Sequence, residues 1–169
     1  VTRVPVRTLL ATAEARAALI AMAGAQVVMV AIMTAAPLEM HHHGSGLGAI
    51  GAVLSAHTLG MFAVSPLTGL LVDRHGPRSV MLGGLCLALA ASVLVIAASA
   101  STAASQGIVL FVLGVAWNFA FVGGSTALSR GVVAEQRFAV EAGVDAAVWS
   151  MAALAGASST ALLAGGGPI

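Results

Sequence analysis

Residues Gly69–Arg78 read GLLVDRHGPR. This charged stretch interrupts an otherwise apolar sequence, with a long apolar run on either side. Gly76 and Pro77 predict a tight reversal, because glycine accepts a positive φ and proline has no N–H to continue a helical ladder. Asp73 falls at the end of the first helix, and Arg74 and Arg78 lie in the turn. Each flanking run exceeds the roughly 20 mostly apolar residues that a bilayer-crossing helix needs.

The rest of the chain repeats this pattern. It is 59% hydrophobic and 8% charged, with no lysine among its cations, and its mean hydropathy is +1.03. A soluble domain carries about 25% charged residues, so the surroundings of this surface are lipid. Five spans are predicted, at about 16–40, 47–72, 79–100, 106–129 and 138–165. They are helices, since backbone groups in lipid must be satisfied within the segment. The connections HHHGSG, DRHGPR, SASTAAS and RGVVAEQR are short and rich in turn residues.

All seven basic residues fall on one side of this topology. Arg3, Arg7 and Arg16 precede the first span, Arg74 and Arg78 follow the second, and Arg130 and Arg137 follow the fourth. The positive-inside rule makes that side, and the N-terminus, cytoplasmic. A wrong helix count would scatter the arginines over both sides. The chain opens with Val1 and no cleavable signal peptide is evident. Five spans leave the C-terminus outside, which favours a piece of a longer protein whose last helix would follow Gly165. Cys86, inside an apolar run, is expected to be a small core residue.

The loop, read as G-x-L-x-D-R-x-G-x-R, resembles the signature of the major facilitator superfamily. The stretch from Met33 to Gly76 is similar to the seventh-to-eighth helix region of a group of bacterial facilitators, and GVAWNFAFVGGSTAL (114–128) resembles their tenth helix. The fourth span lacks the arginine, and the fifth the Gly-Pro motif, that mark the first half of many members. The resemblance therefore implies an all-α polytopic bundle, most of a C-terminal half, with residues 1–15 ending a central linker and residues 16–169 forming helices seven to eleven of twelve. It also implies a conformational lock at Gly69, Asp73, Arg74, Gly76 and Arg78, with the main partner of Asp73 in the missing N-terminal half. Val72 and Pro77 depart from the family loop, where a small and a basic residue are usual. A simple surface turn is the alternative.

Polar groups within spans tend to mark a pathway. Gln26, His57 and Asn118 are predicted at similar depth, near the midplane where facilitator substrate sites lie. Gly107, Phe111, Gly114, Asn118, Phe121 and Ser125 share a face of the fourth span, which suits a substrate cavity. Interhelical hydrogen bonding is the equal alternative for Gln26 and Asn118, and packing against a neighbour for His57. Asp145, about two turns inside the fifth span, and Glu141 on the same face are candidates for proton coupling, because a carboxylate in a low-dielectric site exchanges its proton nearer neutral pH. Pairing with an arginine is the alternative, Arg137 being near Glu141. Pro66 should kink the second span.

Glu39 with His41–His43 reads as an interfacial polar cap rather than a metal site, because consecutive side chains splay around a helix. Gly46–Gly51 matches G-x-G-x-x-G but lacks the βαβ context of a dinucleotide fold, and no cofactor is expected. An embedded enzyme would need a nucleophile with its base, or a metal motif, and the chain has neither. The arginines are too dispersed for nucleic acid. The sequence thus points to a bacterial inner-membrane secondary transporter, whose partners are the bilayer and a small-molecule substrate. The family implies export of a drug-like or metabolite solute, and Asp145 makes proton coupling of that export the expectation. A non-transporting sensor or scaffold on the same helices is the alternative.

Overall fold

The computed structural model describes residues 12–97, 102–130 and 132–165. Helix α1 spans Ala13–His42, α2 Leu47–Phe62, α3 Ser65–His75, α4 Pro77–Ala97, α5 Ala103–Arg130 and α6 Ala134–Gly165. With α2 and α3 taken together as one span, five helical segments are long and apolar enough to cross a membrane. Helix α1 starts three residues before the expected first span, because Thr12 Oγ1 accepts the Ala15 N–H at 3.1 Å and caps the helix there. Residues 1–11 of the linker, with Arg3 and Arg7, and positions 98–100 of the third span lie outside the described residues.

The second span is interrupted at Ala63–Val64, and Pro66 stands in the first turn of α3. The proline supplies no donor for the carbonyl one turn earlier, so the expected kink appears as two helices meeting end to end. The turn after α3 is closed by Gly76, whose φ of +81° a side chain would resist, and whose N–H bonds Val72 O at 2.9 Å. Pro77 opens α4 immediately afterwards.

Helix α5 is the axis of the bundle, packing on α1, α2 and α4, while α6 packs on α1. Small residues allow these approaches. Added side-chain carbons at Gly60 and Gly114 would run into the facing backbones of α5 and α2. Gly84 meets Ala116 and Ala120 of α5 in the same way, and Gly123 meets Pro77 and Met81 of α4. Without a hydrophobic drive between helices in lipid, such close backbone packing supplies much of the association energy. Val140, Val144 and Val148 form the stripe by which α6 joins Ala18, Ala21 and Met22 of α1.

The outer faces carry Ile20, Leu59, Leu89, Val93, Ile96 and Leu154, all exposed, as a lipid-facing surface requires. Cys86 is exposed as well. The expectation of a core cysteine is corrected: α4 turns it away from α5, and in a helix apolar all round the sequence does not tell inside from outside.

Candidate functional site

The polar residues of the spans sort into two regions. The first is an aromatic and amide junction between α1 and α5. Buried Trp117 donates its Nε1–H to Gln26 Oε1 at 2.6 Å, meeting the need of an indole to find an acceptor in an apolar setting. Gln26 is 0% exposed, and its Nε2 has no partner among the described residues. Trp117 stacks on Phe121 with ring centroids 4.7 Å apart at 19°, and meets Phe62 of α2 edge-on at 6.3 Å.

One turn along α5 this junction opens into a cleft of about 260 Å³ between α1, α5 and α6. Met22, Phe121, Ser125, Leu128, Val140, Glu141, Val144 and Asp145 line it. The cleft therefore brings together four of the sequence candidates: Phe121, Ser125, Glu141 and Asp145. Glu141 Oε1 accepts from Ser129 Oγ at 3.0 Å, while Arg137 Nε donates to Val132 O at 3.3 Å. The arginine nearest in sequence thus leaves the carboxylate to a hydroxyl. Asp145 is exposed and makes no ion pair among the described residues. Trp149 follows one turn later, 55% exposed, on the same side of α6. Two carboxylates, a hydroxyl, a thioether and an aromatic face thus share one opening, with no basic side chain lining it.

The second region is the crossing of α2 and α3 over α5, where Asn118 and His57 lie. Asn118, 2% exposed, donates from Nδ2 to Met61 O at 2.6 Å and to Ser65 Oγ at 2.8 Å. Its Oδ1 accepts from Thr68 Oγ1 at 2.5 Å. His57 Nδ1 bonds Leu110 O at 2.9 Å. A carbonyl only accepts, so Nδ1 carries the proton, and the buried Nε2 has no partner among the described residues. The face running from Gly107 to Ser125 is therefore divided. Helix α2 and the start of α3 cover it at Gly114 and Asn118, Phe121 and Ser125 open into the cleft, and Gly107 and Phe111 line a separate groove facing α2.

Asp73, Arg74 and Arg78 stand exposed around the Gly76 turn, without an ion pair among the described residues. Gly69 has open space where a side chain would be. At the opposite end His43 folds back on its own helix, its Nδ1 lying 2.9 Å from Glu39 O and 3.5 Å from Glu39 Oε1.

Sequence reasoning did not single out Trp117, Ser65, Thr68 or Ser129. Trp117 carried a usable signal, since an indole in an apolar span needs an acceptor. The hydroxyls carried none, because serine and threonine in lipid also bond their own helix one turn back, as Thr126 does to Val122 O at 2.8 Å.

Five apolar spans, four of them packed directly or through α1 on the central α5, with two carboxylates and an aromatic ring lining one cleft, define a polytopic helical membrane protein. The chain belongs to the Major Facilitator Superfamily, whose sequence profile matches residues 17–168. It is 41% identical over 101 residues to YddS of Bacillus subtilis strain 168, named an uncharacterized MFS-type transporter, covering 60% of this chain and 23% of that one. YdeG of the same strain, named likewise, is 35% identical over 140 residues, 83% of this chain and 33% of the relative. The riboflavin transporter RfnT of Brucella anthropi is 35% identical over 96 residues, 57% of this chain and 24% of its own length. The chain thus spans about a quarter to a third of the length of these relatives. No solved structure matches it.

Proposed function

We propose that this chain forms most of one half of a secondary active transporter, which moves a small solute by alternating access and couples export of a drug-like or metabolite solute to protons. The observation that carries this reading is the α1/α5/α6 cleft, where Phe121 and Ser125 face Glu141 and Asp145. Aromatic and hydroxyl groups suit an amphipathic ring system, and a carboxylate free of an arginine can take up and release a proton as its surroundings alternate between water and substrate. Asp145 is the proton-carrying group in this scheme, and Glu141, held by Ser129, is its neighbour. The second half and a sixth helix complete the cavity. Gly69, Asp73, Arg74, Gly76 and Arg78 then form the lock, with Asp73 engaging the positive end of a helix in that other half.

The arginine-bearing loops are cytoplasmic in this reading, the N-terminus with them, and the membrane is the bacterial inner membrane. The test is substrate competition and transport by the intact transporter carrying Phe121→Ala, Ser125→Ala or Asp145→Asn. Riboflavin belongs in the panel beside hydrophobic cations and organic anions, because one relative is named for it. Loss of affinity in the first two variants and loss of gradient-driven movement with retained binding in the third is the expected pattern. Three variants indistinguishable from the parent would remove the cleft from the mechanism.

A further inference from the structure

The bend in the second span has a brace that comes from another helix. Helix α2 ends at Phe62 and α3 begins at Ser65, so Ala63 and Val64 separate two rigid pieces. Backbone bonds flank the interruption, from Ala63 N back to Leu59 O at 2.8 Å on the α2 side and from Thr68 N to Val64 O at 2.9 Å on the α3 side. Pro66 adds no donor, so the join is the point where the span has the fewest restraints of its own. The side chain of Asn118 touches both pieces at once. Its Nδ2 holds the Met61 carbonyl at the end of α2, and the same nitrogen holds Ser65 Oγ at the start of α3. Its Oδ1 takes the Thr68 hydroxyl one turn further on.

Thr68 is 0% exposed and Asn118 2% exposed, so water does not compete for these bonds. The three bonds of the brace cannot all persist if either piece swings, because one planar amide cannot follow two helices moving apart. The neighbouring contact is equally intolerant: Gly114, one turn before Asn118, meets the backbone of His57, Gly60 and Met61.

We propose that Asn118 is a positioning residue, an amide brace that fixes the angle between α2 and α3 and thereby sets how readily the second span bends, rather than a group that touches the transported solute. Engaged, it holds α3, which carries Gly69, Asp73 and Arg74, and the Gly76 turn after it in one orientation. Released, it leaves the Ala63–Val64 joint free to move, so the brace governs the rate of the conformational cycle and not the affinity of the cleft.

The test uses the intact transporter reconstituted in lipid, with backbone amide exchange at residues 61–68 as a readout that stands on geometry alone and does not rest on the transport reading. Asn118→Ala is expected to speed exchange in that segment on the order of tenfold, three interhelical bonds being lost together, while α4 and α6 keep their protection. Thr68→Val should move exchange in the same direction by less, and Thr68→Ser, which keeps the hydroxyl, should restore the parent behaviour. Ser65→Ala removes a single bond and serves if the asparagine variant does not assemble. In transport, the turnover of Asn118→Ala should change severalfold with solute affinity unchanged. Unchanged exchange at 61–68 would overturn the proposal, as would exchange rising equally through every helix. A loss of solute affinity with normal exchange would make Asn118 a substrate contact and overturn it too.

Discussion

Gly114→Ala is the smallest change that tests the packing around α5. An alanine Cβ there would lie against His57 O, 2.9 Å from Met61 N and 3.1 Å from Gly60 C, where ordinary contacts run from 3.4 to 4 Å. The obstacles are backbone atoms, so no rotamer change relieves them, and α2 and α5 must part by about 0.5–1 Å. Asn118 lies one turn further along. A parting of that size takes its 2.6 Å bond to Met61 O toward the limit of hydrogen bonding. Overpacking of this kind costs about 1–3 kcal/mol, and each weakened interhelical bond adds about 0.6 kcal/mol. Replacing a helical glycine returns about 0.5–1 kcal/mol, so the net loss is about 1–3 kcal/mol.

The assay is the thermal stability of the purified protein in a fixed detergent, with Gly83→Ala as the control. Gly83 lies in α4 with nothing within 4 Å of its added Cβ, so that variant should match or slightly exceed the parent. Gly60→Ala probes the same contact from the other side, and the double variant should cost less than the two singles combined, since one separation relieves both clashes. Equal stability of the Gly114 and Gly83 variants would refute the close approach of α2 and α5.

Trp117→Phe deletes the donor to Gln26 and leaves a buried amide unpaired, which should destabilise by about 1–3 kcal/mol. Adding Gln26→Leu should recover part of that loss, as a double-mutant thermal series would show. Cys86, exposed on α4, should react in intact membranes with an apolar maleimide and resist a membrane-impermeant one if that side meets lipid; the reverse selectivity would place it in an aqueous path. Ser129→Ala frees Glu141 from the serine hydroxyl, and the expected cost is below about 1 kcal/mol because the pair is exposed.

How far the sequence could be read depended on which physical term dominated. Five spans and their turns were legible because length and hydropathy decide membrane insertion, and the Gly76–Pro77 reversal because glycine accepts a positive φ while proline has a fixed φ and no N–H. The kink near Pro66 was legible for the same reason. The partners were not. Trp117 meets Gln26 across 91 residues of sequence and Asn118 meets Thr68 across 50, and no periodicity records which helix a polar side chain will face. The misplacement of Cys86 has a related cause, since α4 is apolar on its lipid side and its protein side alike and its burial follows from Gly84, Ala88 and Ala91 facing inward. Within the cleft, the grouping of Glu141 with Asp145 could be seen from their i, i+4 spacing. Their meeting with Phe121 and Ser125 required the packing of α6 on α1.

The most direct test of the transport account is solute accumulation by the intact transporter in inverted membrane vesicles under an imposed proton gradient. The account predicts accumulation that collapses on adding a protonophore and is lost in Asp145→Asn while that variant still binds the solute. Accumulation that survives both the protonophore and Asp145→Asn would contradict it.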